Sequence, residues 1–307
     1  MGKDPKRVVV VTTVHNRREI TLQCLGSLRG IDRTGLEIHI VIVDDGSTDG
    51  TREAIRRDFP EVEIIEGDGN LWYTAGMNRG IEAGLKREPD YILAINDDEV
   101  FDTQFLHHMI RCAEEHPRTV VGALLLQWDS PDRVFQVGAR WDTWYGGWRH
   151  RYDLTVNTVP REPWEVEIIV GNCVLYPLES IVQVGLMNEN YFPHYGDVEY
   201  TPRMRKAGWR LLIEPNARVY CQPTTIPPSL RTVSLSKLWK ILFSDRNNPN
   251  NLRTQFLSLW ESAPSPALGA AAFFIALVRR SLRLIGLGTH WPDRPVSMED
   301  RIFRRLE

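Results

Sequence analysis

The chain has 307 residues, 42% of them hydrophobic, with 37 Lys and Arg against 40 Asp and Glu, enough to bury one large core or two modest ones and leave a tail. Cys24, Cys112, Cys173 and Cys221 are scattered without a C-x-x-C pair and the first residues carry no apolar signal region, which argues against a disulfide framework and for a reduced, cytoplasmic setting. Residues 226–307 hold twelve Lys/Arg against six Asp/Glu, and residues 1–225 hold 25 against 34. An acidic body argues against nucleic acid as a partner; a basic tail suits either an anionic membrane surface, with the protein peripheral to the inner face of the cell membrane, or a solvated helical face.

In chain order, β-branched runs at 7–13, 37–43, 62–66 and 91–95 predict strands. Between them, a helix after Asn16 carries Ile20, Leu22, Leu25 and Leu28, a second runs from the Ser47/Thr48/Asp49 capping cluster to about residue 58, and a third fits 73–86. This alternation predicts an α/β fold with a parallel sheet, right-handed crossovers and a ligand at the carboxyl ends of the strands. After Glu99 the pattern becomes mixed: a helix at 103–115, strands at 120–127, 134–139 and 166–170, a Trp-rich loop between them, helices at 179–184 and 197–207, and strands at 210–213 and 217–221. Beyond the Pro-rich stretch 222–228, three helical segments are expected up to residue 287.

Two acidic clusters close apolar strands. Asp44-Asp45-Gly46-Ser47 emerges where the ligand crevice is expected, and its carboxylates suit either a pyrimidine N–H and ribose hydroxyls or a helix cap and turn. Asn96-Asp97-Asp98-Glu99 follows residues 91–95 abruptly. Neighbouring buried carboxylates need a compensating cation, and Mg²⁺ or Mn²⁺ takes one or two carboxylates plus diphosphate oxygens; a surface turn is the alternative. Between them, residues 67–80 place Ala75, Gly76 and Gly80 for close approach of a helix to the sheet or a diphosphate, with Asn70 and Asn78 as hydrogen-bonding groups. Neither a dinucleotide G-x-G-x-x-G nor a P-loop occurs, so nicotinamide and P-loop chemistry lose support.

The ordered set Thr13-Val14-His15-Asn16-Arg17, residues 43–49, residues 69–80, Asn96-Asp97-Asp98 and Gly196-Asp197-Val198-Glu199-Tyr200 with Arg203 and Gly208-Trp209 resembles the family 2 glycosyltransferases, especially bacterial rhamnosyl- and galactofuranosyltransferase-like members, over about residues 7–222. The resemblance implies a GT-A (Rossmann-like) domain with a mixed, mainly parallel sheet flanked by helices. Its nucleotide-sugar-binding half would be 1–100, its acceptor-binding and catalytic half 101–225, and 226–307 a helical tail. It also implies inverting transfer from a UDP- or dTDP-sugar to a glycan or lipid-linked acceptor hydroxyl in cell-surface polysaccharide or glycolipid synthesis. A non-catalytic nucleotide-sugar-binding or scaffolding subunit is the alternative.

Residue by residue, the resemblance implies that Thr13 and Asp45 hold the base with Asp44 nearby, that Asp98 is the metal ligand, and that Asp97 touches ribose or metal-bound water. Asn96 stands where the family has its first Asp. Asp197 falls at the general base, preceded by Gly196 where an acidic residue is usual; its other reading is a helix N-cap, and both can hold together. Cys221 takes the place of a metal-binding His, as a soft ligand or, preferably, a buried structural thiol. Arg246-Asn247 resembles a pair in rhamnosyltransferase-like relatives, or is a helix surface. His194 is a candidate donor or acceptor contact, and Trp141, Trp144 and Trp148, with Tyr145, offer stacking faces for an acceptor or pack in a core. In the tail, the uncharged run 267–278, followed by Arg279, Arg280 and Arg283, is too short to span a bilayer. Phe273, Phe274, Leu277 and Leu284 are expected to lie against lipid, or the helix packs on protein.

Overall fold

The valines at 8–11 are buried on both faces, as a strand inside a parallel sheet requires. In the computed structural model, which describes residues 4–151, 154–190, 192–222, 234–245, 248 and 250–284, they form the heart of β1 (Lys6–Val14). Helix α1 (Arg18–Arg29) follows, burying Leu25 and Leu28, then β2 (Leu36–Asp44), α2 (Thr51–Asp58), β3 (Glu63–Glu66), α3 (Trp72–Leu85) and β4 (Tyr91–Ala94). Strands β3, β2, β1 and β4 lie side by side and parallel. The expected alternation is present, with shifts of a few residues. The capping cluster holds in a modified form: Gly50, at φ 83°, occupies the cap, and Asp49 accepts from the Thr51 amide and hydroxyl.

The mixed half continues the same sheet: β5 (Glu99–Phe101), α4 (Phe105–Glu115), β6 (Thr119–Gln127), β7 (Ser130–Gln136), the hairpin β8 (Arg140–Asp142) and β9 (Gly147–Arg149), β10 (Trp164–Glu165), β11 (Val174–Pro177), α5 (Leu178–Val184), α6 (Gly196–Lys206) and β12 (Arg210–Cys221). The path across the sheet is β10-β12-β6-β11-β4-β1-β2-β3, and β11 runs antiparallel to both β4 and β6. Sequence reasoning missed β11, because a four-residue apolar run carries no periodicity. The strand expected at 166–170 is instead irregular backbone held by a side chain, Thr201, whose hydroxyl accepts from the Ile169 amide and donates to its carbonyl. The two strands expected at 210–213 and 217–221 are one, with a register shift between Glu214 and Arg218 where Pro215 cannot donate to the ladder.

The tail contains α7 (Leu235–Trp239), a π-turn at Lys240–Ser244, α8 (Leu252–Ser262) and α9 (Pro266–Leu284). Helix α8 packs on α6 and α9, and α9 on β9. Arg246 and Asn247 lie outside the described residues. No helix among the described residues is long and apolar enough to cross a membrane. The apolar face of α9 corrects the expected one: Phe273 packs edge-on against Phe256 at 5.3 Å and Leu277 lines a cleft shared with the hairpin and α8, while Leu268, Phe274, Val278 and Leu282 are exposed. The side chain of Leu284 lies outside the described residues.

Candidate active site

Parallel strands deliver their carboxyl ends to one edge, and the acidic clusters sit there. Asp44 closes β2 with no exposed surface, and its carboxylate is taken by the Ser47 amide and, at 2.8 Å, by Arg52 Nε. A buried carboxylate paired with an arginine from the next helix braces the turn, which corrects its candidacy for the nucleotide. Asp45 collects the amides of Gly69 on Oδ1 and of Leu71 and Trp72 on Oδ2, at 2.8 to 3.0 Å. It ties the loop 67–72 to β2, and Oδ1 keeps acceptor capacity for a base N–H. Two glycines permit this approach: a Cβ on Gly67 would lie 2.7 Å from Asp45 Oδ1, and Gly46, at φ 71°, would place one 2.9 Å from the Gly69 nitrogen.

Thr13 is half-buried and donates to the Val43 carbonyl, and Gly76 of α3 lies so close that a Cβ would sit 2.4 Å from Thr13 Oγ1. Asn70 is exposed on the same loop, its amide bonded within that loop to Asp68. Asn78 is elsewhere engaged: its amide donates to the Met187 carbonyl and Glu189 and accepts from the Met187 N–H. It clamps α3 to the turn at 187–189, which corrects its reading as a nucleotide contact.

At the end of β4, Asp97 is buried and Asp98 about one-fifth exposed. Arg17, just before α1, bridges them, Nη1 to Asp97 at 2.7 Å and Nη2 to Asp98 at 2.9 Å. Burial raises the Asp97 carboxyl to about 6, against the lowering effect of Arg17. Asn96 donates its amide to the Asn172 side chain at 2.9 Å; an aspartate there would face that carbonyl oxygen without a proton to give. The next residue back, Gly171, donates its N–H to Asp197 Oδ2 at 2.8 Å. The segment 171–172 thus connects Asn96, the residue before the acidic pair, to Asp197 through two hydrogen bonds.

Asp197 opens α6, half-buried. Burial raises its carboxyl above the ordinary range, while the Gly171 amide and the first amides of the helix pull it back. Gly171 must be a glycine, since a Cβ would lie 2.4 Å from the Tyr73 hydroxyl and 2.9 Å from Asp197 Cβ. Gly196 must be small for a related reason: its Cβ would meet Thr74 Cγ2 at 2.5 Å, and its amide donates to Thr74 Oγ1. This packing accounts for the missing acidic residue before Asp197. His194 stacks edge-on with Trp72 at 4.4 Å, and burial lowers its imidazole; Trp72 is 42% exposed, so the pair flanks the crevice as an aromatic rim.

Cys221 is buried opposite Glu99 in the β12–β5 ladder, and burial pushes its thiol well above the ordinary value. These are the surroundings of a structural thiol and correct its candidacy as a ligand. Among the described residues no group of three or more His, Cys, Asp or Glu side chains could hold a metal. The tryptophans divide. Trp141 and Trp148 meet edge to face at 5.2 Å, and Trp148 donates to Ser262 of α8. Trp148 fastens the hairpin to the tail, Trp141 bonds within the hairpin to Thr143, both are half-buried, and Trp144 is 83% exposed. Arg17, Gly171 and Asn172 were missed as site residues. Only Arg17 had a signal, its place in the Thr13–Arg17 motif.

A mixed sheet with carboxylates at its crevice edge is the architecture of a nucleotide-sugar transferase of the GT-A type. The chain belongs to glycosyl transferase family 2, whose model matches residues 9–182. It is 27% identical over 236 residues, 69% of this chain and 76% of the relative, to the N-acetylglucosaminyl-diphospho-decaprenol L-rhamnosyltransferase of Mycobacterium tuberculosis. Galactofuranosyltransferase GlfT1 of Mycolicibacterium smegmatis is 27% identical over 41% of this chain and 42% of its own. Among solved structures, the mannosyltransferase PcManGT of Pyrobaculum calidifontis in complex with GDP-Man and Mn²⁺ superposes with a TM-score of 0.57 at 14% identity, covering 99% of this chain and 79% of that one. GalNAc-T7 with UDP, GalNAc and Mn²⁺ gives the same TM-score and identity over 87% of this chain, which spans 54% of that protein.

Proposed function

We propose that the chain is an inverting, divalent-metal-dependent glycosyltransferase that moves a sugar from a UDP- or dTDP-linked donor to a hydroxyl of a lipid-linked glycan. The observation that carries this reading is the hydrogen-bonded segment 171–172, which holds Asp197 and the end of β4 as one unit. A base and a diphosphate-facing acid pair need that fixed relation.

The residues fit Mg²⁺ or Mn²⁺: Asp98 is a partly open oxygen ligand with Asp97 behind it, and a guanidinium already stands against both, so the site accepts positive charge. When bound, the ion neutralises charge on the departing diphosphate. Asp45 and Thr13 are positioned to receive the base. Asp197 accepts the proton of the acceptor hydroxyl as that oxygen bonds to the anomeric carbon; the bond to diphosphate breaks on the opposite face, its electron pair leaving with the phosphate oxygen, and the anomeric centre inverts. The raised carboxyl makes Asp197 a stronger base than a free aspartate.

The lipid-linked acceptor is supported by the exposed apolar line of α9 beside Arg279 and Arg280, and by Trp144 on the hairpin that docks there. The decaprenol-linked substrate in the name of the mycobacterial relative agrees with it. The metal assignment is tested by thermal shift with UDP and dTDP in the presence of Mn²⁺: Asp98→Ala is expected to lose most of the metal-dependent stabilisation by nucleotide, and a variant that keeps it would place the ion elsewhere.

A further inference from the structure

Asp97, Asp98 and Glu99 stand consecutively at the end of β4 and the start of β5, the first and third almost wholly buried. Asp97 and Glu99 are removed from water and Asp98 only in part; carboxyl groups so placed demand either a proton or positive charge. Among the described residues one cation meets it, Arg17, and it does so divided: one terminal nitrogen on each of Asp97 and Asp98. The two contacts differ. Asp97 is enclosed and has a second partner, the Thr21 hydroxyl on Oδ2. Asp98 is open to the crevice, and Arg17 itself is 39% exposed at the side chain, so release of the Asp98 contact needs no repacking of the core.

Resting on the metal-dependent reading above, we propose that Arg17 is a resident stand-in cation that competes with the divalent ion for Asp98 and so makes ion binding depend on nucleotide. Without ligand, an incoming ion has to displace a guanidinium that already satisfies Asp98, and that guanidinium, although still paired with Asp97, gives up one of its two carboxylate contacts just as a second positive charge arrives beside it. With a nucleoside diphosphate present, that guanidinium has phosphate oxygens to pair with, and exchange at Asp98 costs far less. Arg17 is therefore a positioning residue that couples two ligands, and coupling of this kind is reciprocal. It also offsets part of the negative charge of the acid pair between turnovers, when no ion is held.

The test is a titration of Mn²⁺ into the full-length protein, followed by electron paramagnetic resonance of the free ion, with and without UDP or dTDP. For the wild type, nucleotide is expected to tighten Mn²⁺ binding by roughly tenfold or more. Arg17→Gln is expected to bind Mn²⁺ alone several-fold more tightly than the wild type and to lose most of the coupling. Arg17→Lys, which keeps the charge but lacks the fixed two-nitrogen fork, is expected to fall between, and it carries the test if the Gln variant fails to fold by its thermal transition. Folded variants with wild-type Mn²⁺ affinity and coupling would overturn this inference alone. No Mn²⁺ binding by the wild type, with either nucleotide, would overturn the metal reading and the inference with it.

Discussion

At the scale of single residues, the candidate acids sit at the strand and helix ends, and their partners come from distant parts of the chain. Asp97 and Asp98 stood out because carboxylates ending an apolar strand are conspicuous, and Asp197 because the stretch around it resembles the family. Arg17 finds Asp97 across 80 positions of chain, and Asn172 finds Asn96 beside that acid across 76, separations that no local pattern reports. Asp44 and Asn78 show the reverse: conspicuous polar residues whose bonds are spent on the protein itself. Asp197 gives a pH prediction. As a base it must be ionised, and burial raises its carboxyl, so the acid limb of kcat/KM is expected above the ordinary carboxylate range, with activity lost as pH falls through it. Its effect on stability has the opposite sense. A carboxyl raised in the folded state favours folding below its unfolded value, and that contribution is lost as pH rises through the folded one. Asp197→Asn should therefore abolish transfer, keep nucleotide affinity within a few fold, and melt no lower than the wild type at neutral pH; a marked drop in melting temperature would make the residue chiefly a structural cap.

At the scale of elements, strand β1 and helices α1 and α3 were legible from valine runs and the spacing of leucines and glycines, because each buries a simple face. What escaped was β11, whose place between β4 and β6 is decided by long-range pairing, and the irregular run at 166–170, where the Thr201 hydroxyl substitutes for a neighbouring strand. Helix α3 approaches the sheet through glycines. A Cβ at Gly80 would lie 2.3 Å from Val11 Cγ1, and one at Gly84 2.9 Å from Val9 Cγ1. Gly80→Ala is expected to cost about 1–3 kcal/mol by overpacking, read by urea denaturation. Since α3 also carries Gly76 against Thr13, nucleotide affinity should fall with it. A fully stable variant would show that the helix can shift outward without loss.

At the scale of the whole molecule, the tail is joined to the catalytic domain through the tryptophan hairpin. Glycines at 146 and 147 let β9 meet α9 and α8, a Cβ on either falling within 3 Å of Ala276 or Leu259, and Arg279 lies over the Tyr145 ring and bonds its carbonyl. A membrane engaged by α9 would thus act on a surface continuous with the hairpin β8–β9. Paired substitution of Phe274 and Val278 by Glu, both exposed, is expected to remove binding to anionic vesicles at low salt and leave the melting temperature unchanged. Equal vesicle binding by that variant would turn the tail into a protein-packing element. The account as a whole stands on turnover. The direct measurement is release of nucleoside diphosphate from a panel of UDP-, dTDP-, GDP- and CDP-sugars with Mn²⁺ or Mg²⁺, run in parallel on the wild type and Asp197→Asn. Metal-dependent release from a UDP- or dTDP-sugar by the wild type, and none by the variant although it still binds that nucleotide, is the predicted result; nucleotide binding without release by the wild type, or equal release by the variant, would contradict it.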